Sequence, residues 1–291
     1  MLISMTGFGR GEAVSPSLGR VVVEIQTLNH RFLDMEFRLP EGFLALEQAL
    51  RARVAASIRR GRARIFVNVK SRKESAIAVF QQDVAKRYAV QLKQLQKKAG
   101  LSGAVTLETV LTLPHVVTMP STADLSDQWA GAVGKAAAQA LQRLAQMRRK
   151  EGGRLEKTLA RLAGSLERLK DKTAQRVPEA QKNLEERIRG RLREEVPQAD
   201  PEALLKEAAV FVRETDVSEE LARLQSHLTA LKQAISGKAD SPGRTIDFLA
   251  QELQRETNTL GVKVKDAQIN RWVVEMKGLI EKIREQAANI E

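Results

Sequence analysis

Leu155, Leu159, Leu162, Leu166 and Leu169 step along the chain by four, three, four and three residues. This is the spacing of a heptad seam, and it forces a long helix whose apolar stripe must be covered by another helix. The surrounding stretch, from about 124 to 196, keeps helical character. Pro178 fits the first turn of a returning helix, which would carry Leu184, Ile188 and Leu192 and be closed by Pro197 and Pro201. The expectation for 124–206 is a long antiparallel helical hairpin, packed on itself or used for self-association.

The segments on either side read differently. Upstream, VVVEIQTL (21–28), DMEFRL (34–39) and RARIFVNVK (62–70) have the β-branched and alternating pattern of strands. Residues 44–58 and 83–99 have helical spacing, and Gly100 ends the second of these. GRGEA (9–13) reads as a turn. Downstream, Asp216 and Glu219 have the spacing of a capping box before a helix, and Gly261 fits a C-terminal cap of the next. Asp266 caps a last helix whose core stripe is Ile269, Val273, Met276, Ile280, Ile283 and Ile290. The fold class is therefore α+β. An N-terminal α/β domain with a small sheet (1–123) precedes the helical hairpin (124–206) and a C-terminal all-helical domain (207–291).

Composition narrows the chemistry. The chain has no cysteine, which excludes disulfides, Cys-type zinc sites and thiol nucleophiles. It has neither a signal-peptide pattern nor a membrane-length apolar run, so it reads as soluble and cytoplasmic, without a membrane partner. GxxxxGK[ST], HExxH and GxSxG are all missing, against a P-loop NTPase, a zincin or a nucleophile-elbow hydrolase. The net charge of +12 is unevenly spread. Residues 1–150 hold 23 Lys+Arg against 11 Asp+Glu, a net of +12, whereas 207–291 hold 12 against 14, a net of −2. A basic surface favours a polyanionic partner through release of condensed counterions. The segment 51–73 concentrates this charge, with nine basic residues and no acidic one.

The acidic third carries the candidate chemistry. In DFLAQELQRETNTLG (247–261), Ile246, Leu249, Leu253 and Leu260 form the packed face at about 100° per residue. Glu252, Arg255, Glu256 and Thr259 border it, and Gln251 and Asn258 lie just beyond. Glu252 and Glu256 are like charges one turn apart, a pair that needs compensation by Arg255 or by a divalent metal. On the preceding helix Glu220, Arg223 and His227 share a face. On the last helix Lys277, Glu281, Arg284 and Glu285 share a flank. Clustered carboxylates suit Mg2+ or Mn2+, and solvated ion pairs account for the same spacing.

SMTGFGR (4–10), EIQTLNHRFLD (24–34) and RLP (38–40) resemble the opening of the YicC/YloC family. SEELARLQSH (218–227), GRTIDFLAQELQRETNTLG (243–261) with Lys263, and EMKGLIEKIREQAANIE (275–291) resemble its C-terminal part. The resemblance covers both ends of the chain and departs at Gln26, Thr27, Gln254 and Val262. It implies a bacterial endoribonuclease that depends on a divalent metal, Mn2+ or Mg2+, and cuts small regulatory RNA or mRNA as a homo-oligomer, a hexamer.

With that resemblance, Asp247, Glu252, Glu256, Glu281 and Glu285 are the expected metal ligands. His227 is the expected general acid/base or a further ligand, and Arg223 and Arg255 are expected to stabilise charge on the phosphoryl group. Gln251, Asn258, Thr259 and Lys263 are expected to position substrate. RNA contact is assigned to Arg10, Asn29, His30, Arg31, Arg59, Arg60 and Arg62. The alternative is a non-catalytic RNA-binding adaptor or chaperone, built as a coiled-coil homo-oligomer.

Overall fold

The structure, a computed structural model, describes residues 1–40, 42–71, 79–118, 126–195, 210, 215–237 and 241–291. Four strands form the N-terminal sheet: β1 (Gly7–Ser15), β2 (Gly19–Leu28), β3 (Leu33–Arg38) and β4 (Gly61–Ser71). Their order is β1-β2-β4-β3. β1 and β4 flank β2 in antiparallel register, and β3 runs parallel to β4. Helix α1 (Glu47–Ser57) joins β3 to β4. A two-stranded ribbon, β5 (Val79–Phe80) with β6 (Val117–Thr118), encloses α2 (Gln82–Ala99) and α3 (Leu107–Leu111). Gly100 ends α2 with φ 64°, a left-handed conformation that favours glycine. Helix α4 (Ser126–Glu195) is followed by α5 (Ser218–Ile235), α6 (Pro242–Lys263) and α7 (Ala267–Ala287).

The α+β class, the small sheet and the helical C-terminal part agree with the sequence reading. The expected hairpin does not form. Residues 126–195 are one helix of 70 residues, and Pro178 lies inside it. The reason lies in what covers the seam. Leu155, Leu159, Leu166, Leu169 and Val177 share one core with Leu224, Leu228 and Leu231 of α5 and with Met276, Ile280 and Ile283 of α7. The C-terminal helices occupy the stripe that a returning arm was expected to cover. Arg176 also reaches across to Asp266 at 3.3 Å, holding α4 to the start of α7 two residues before the proline. Pro197 and Pro201 lie outside the described residues.

The other half of α4 roofs the sheet. Trp129, Val133, Ala136, Ala137, Ala140 and Leu144 pack on Val21, Val23, Ile25, Ala63, Ile65 and Val67. β1, read as a turn from its glycines, is a nine-residue strand. A Cβ on Gly9 would lie 2.0 Å from the Ala140 carbonyl oxygen, and one on Gly11 would lie 1.8 Å from that of Ala136. The glycines and the facing alanines let strand and helix backbones touch, and a strand that binds in this way lacks the β-branched signature.

Of the three caps expected in the C-terminal part, one forms as expected. Asp266 accepts from the Ile269 amide at 2.9 Å and caps α7 as expected. Asp216 instead accepts from the amide of Ser218 at 3.0 Å, while Glu219 pairs with Arg223, so no capping box closes. Gly261 lies within α6, which runs on to Lys263. A Cβ there would meet Val273 Cγ1 at 2.9 Å, so close packing on α7, not a helix stop, explains the glycine.

Candidate active site

α5 and α6 pack side by side through Leu224, Leu228 and Leu231 against Ile246, Leu249, Leu253 and Leu260. Rising numbers on α5 meet falling numbers on α6: Glu220 faces Lys263, Arg223 faces Glu256, and His227 faces Glu252. The polar residues that border both apolar stripes therefore converge on one seam.

At its centre, one ring nitrogen of His227 and one carboxylate oxygen each from Glu252 and Glu256 lie within 4.8 Å of one another. Among the described residues this is the one set of three such side chains that could hold a metal ion. Glu256 is 4% exposed, and His227 and Glu252 are half-buried. Two carboxylates and an imidazole are a mixed oxygen and nitrogen donor set suited to a divalent cation, with coordination positions left for water and phosphate.

Arg223 supplies the positive charge now beside Glu256, at 3.7 Å, and its other terminal nitrogen bonds Glu219. Arg255, one of the two candidates to compensate the two glutamates, points to solvent and forms no ion pair among the described residues. A neighbouring helix does that work because the Glu256 side chain turns into the α5–α6 seam, away from the outer face of α6.

Farther along the seam, Lys263 bonds one oxygen of Glu220 at 2.7 Å and the Asp216 carbonyl at 3.2 Å. Hydrogen bonding to Glu220 raises the Lys263 pKa above its usual value, against the opposing effect of burial. The substrate role expected of Lys263 thus competes with a structural one. Glu220, only 6% exposed, was not among the expected site residues. Its position on the face shared by Arg223 and His227 was the signal for it.

The remaining expected ligands lie elsewhere. Arg284 holds Asp247 at 3.5 Å and Glu281 at 3.2 Å, and Glu285 is exposed on α7. None of the three joins the His227 cluster. Gln251 donates to Asp247 at 2.9 Å, Asn258 accepts from Gln254 at 3.3 Å, and the Thr259 hydroxyl donates to the Arg255 carbonyl at 3.2 Å. Gln251 and Asn258 are exposed on the outer side of α6.

The basic residues assigned to RNA divide into engaged and free. Arg62 pairs with Asp34 at 3.3 Å and with Glu36 at 3.4 Å. Burial would raise the Glu36 carboxyl, but Arg64, Arg38 and Arg62 outweigh it and hold that group below its usual value. Arg10 lies 3.6 Å from Glu24. The amides of Arg59 and Arg60 donate to Glu291, and Arg60 Nε donates to the His30 carbonyl at 3.3 Å. His30 Nδ1 closes a local turn on Phe32. Asn29 and Arg31 are exposed, with the Arg31 guanidinium 5.2 Å over the Phe32 ring. Arg72 and Lys73, at the end of the basic run, lie outside the described residues.

A family model described as endoribonuclease YicC-like, N-terminal region, matches residues 2–157, and one described as endoribonuclease YicC-like, C-terminal, matches residues 169–291. The chain is 34% identical over 296 residues to a probable endoribonuclease YicC of Clostridioides difficile. It is 32% identical over 296 residues to a probable endoribonuclease YicC of Haemophilus influenzae, and both alignments cover the full length of both chains. No helix among the described residues is long and apolar enough to cross a membrane.

Proposed function

The chain belongs to the YicC-like endoribonuclease family, and from that premise we propose that it is an endoribonuclease whose His227, Glu252 and Glu256 hold a divalent metal, Mn2+ or Mg2+. The observation that carries the metal is the convergence of three ligand atoms within 4.8 Å on the α5–α6 seam. The imidazole favours Mn2+ over Mg2+, which prefers oxygen donors. When bound, such an ion polarises a phosphoryl oxygen and lowers the pKa of a coordinated water.

The residues of the chain supply the rest. Glu256, buried in the seam, brings its carboxyl group to the scissile group. Arg223 is half exposed and, among the described residues, tethered only by Glu219 and Glu256, so it can turn toward a phosphoryl oxygen and stabilise developing charge. Arg255, with no ion pair among the described residues to break, offers a second guanidinium from the outer side of α6. The ring nitrogen of His227 that is not a metal ligand is left to hold or move a proton. Single-stranded or structured small RNA is the proposed substrate, with basic residues around the sheet contributing attraction. Assembly as a homo-oligomer completes the proposal: α2 has no buried residue and leaves Val90 and Leu95 exposed, an apolar flank available to another copy.

His227→Ala and Glu252→Ala test the site. Both variants should keep the wild-type melting curve and lose about a hundredfold or more in cleavage of a labelled RNA with Mn2+. Folded variants that cut at the wild-type rate would remove this cluster from the chemistry. Wild-type protein that binds RNA and cuts with neither Mn2+ nor Mg2+ would favour the adaptor reading. Mapping of product ends then separates attack by water, which leaves a 5′-phosphate, from attack by the 2′-hydroxyl, which leaves a 2′,3′-cyclic phosphate.

A further inference from the structure

Between the sheet and the start of α6 lies an open cleft of ≈ 680 Å³, whose walls include Asn29, Arg31, Phe32, Arg60, Arg244 and Asp247. Asp247 is already tied to Arg284 and Gln251, whereas Arg31 and Arg244 form no ion pair among the described residues. The cleft therefore presents uncompensated guanidiniums. Such groups are built to meet an anion, and a planar guanidinium meets phosphate well.

From this cleft the outer side of α6 carries an exposed row at helical spacing: Arg244, Phe248, Gln251, Arg255 and Asn258. Phe248 is 57% exposed, one turn from Arg244 and two turns from Arg255, so its ring lies in solvent between two arginines that form no ion pair among the described residues. The row contains no carboxylate, and it runs beside the flank that bears Glu252 and Glu256. At about 1.5 Å per residue, Arg244 stands roughly 12 Å along the axis from Glu252 and roughly 18 Å from Glu256. That interval spans about three to five stacked nucleotides at ~3.4 Å each.

We propose that the Arg244 cleft and the Phe248 row form a subsite for an unpaired RNA strand, which delivers the scissile phosphate to the His227 cluster; the direction of delivery rests on the metal reading above. The chemistry selects a single strand. Phe248 can stack on a base only if that base is free of a duplex, while Arg244 and Arg255 take the flanking phosphates and the amides of Gln251 and Asn258 face base edges. A protein partner would need a contiguous apolar patch, and Phe248 stands alone among polar neighbours on this row.

The test measures binding in EDTA, so that cleavage and metal play no part. A fluorescent single-stranded ribonucleotide dodecamer and its blunt duplex are titrated against wild type, Arg244→Ala, Phe248→Ala and Phe248→Trp. Phe248→Ala should weaken single-strand binding roughly tenfold, and Phe248→Trp should retain it. Arg244→Ala should weaken it severalfold and reduce the slope of log affinity against log salt by about 0.7. The duplex should respond little to the change at Phe248. Wild-type affinity in both alanine variants, or equal losses on strand and duplex, would overturn the subsite. So would a changed sedimentation mass of Phe248→Ala with unchanged RNA affinity, which would assign the ring to a protein interface. If binding behaves as expected and no metal supports cleavage, the metal reading fails and the subsite stands.

Discussion

Lys263 shows how one side chain can be committed to the fold beside a reactive centre. Its ammonium holds the buried Glu220, whose second carboxylate oxygen has no hydrogen-bond partner among the described residues. Lys263→Met would leave that carboxylate uncompensated. Removal of one partner from a fully buried pair costs roughly 3–5 kcal/mol, and because the Lys263 side chain is 36% exposed we expect about 2 kcal/mol. The folded lysine pKa is raised above the unfolded value, so the contribution is complete below that value and fades as pH rises through the folded one. Urea titrations should show a constant loss from pH 7 to 10, and unchanged stability at pH 7 would show that Glu220 is satisfied by another route. The sequence could reveal each half of this seam but not their union. Periodicity placed Glu252 and Glu256 at the edge of one apolar stripe and Arg223 and His227 at the edge of another. Which edges touch is decided by how α5 lies on α6, and no local pattern encodes that. The same gap made Asp247, Glu281 and Glu285 appear equivalent to the clustered pair, although Arg284 takes the first two on the far side of α6.

Helix α4 shows the same division between a legible element and an illegible partner. The leucine heptad correctly announced a long helix with one apolar side. It could not say whether that side faced the next segment or helices tens of residues later, because Leu and Ile from either source fill the seam equally well. Caps made of one side chain and one nearby amide, such as Asp266 on Ile269, are local and were legible. The Gly9 and Gly11 strand was not, since its logic lies in Ala136 and Ala140 across the core. Pro178 offers a test of continuity. Inside a helix it removes the hydrogen bond to the carbonyl one turn back and crowds that carbonyl. Pro178→Ala should therefore stabilise the protein by about 1–3 kcal/mol in urea denaturation, after the entropy regained by the unfolded chain is subtracted. A proline that opened a returning helix would sit where its missing amide costs nothing, and its replacement would be neutral or destabilising.

At the scale of the molecule, two cores share α4 and are tied a second time by the two ends of the chain. Leu2 is buried in the helical core, Ser4 bridges Ile290, and Met5 donates to the Asn289 carbonyl at 2.8 Å. Arg148, 4% exposed, bonds the Ser4 carbonyl and the Glu291 carboxylate, each at 2.5 Å. The other Glu291 oxygen accepts from the amides of Arg59 at 3.0 Å and Arg60 at 3.1 Å, which turn from α1 into β4. One carboxylate thus joins the sheet, the long helix and the wall of the Arg244 cleft. Glu291→Ala would leave Arg148 without its anion and the two amides without an acceptor, a loss of about 3 kcal/mol given the burial of the pair. The effect should be local in a way that hydrogen exchange can read. The Arg59, Arg60 and Ser4 amides should lose protection while Val23 and Ile65, in the middle of the sheet, keep theirs. Equal losses at all five positions would mean that the tie supports global stability only, whereas the selective pattern would show that the cleft wall can open with both cores intact.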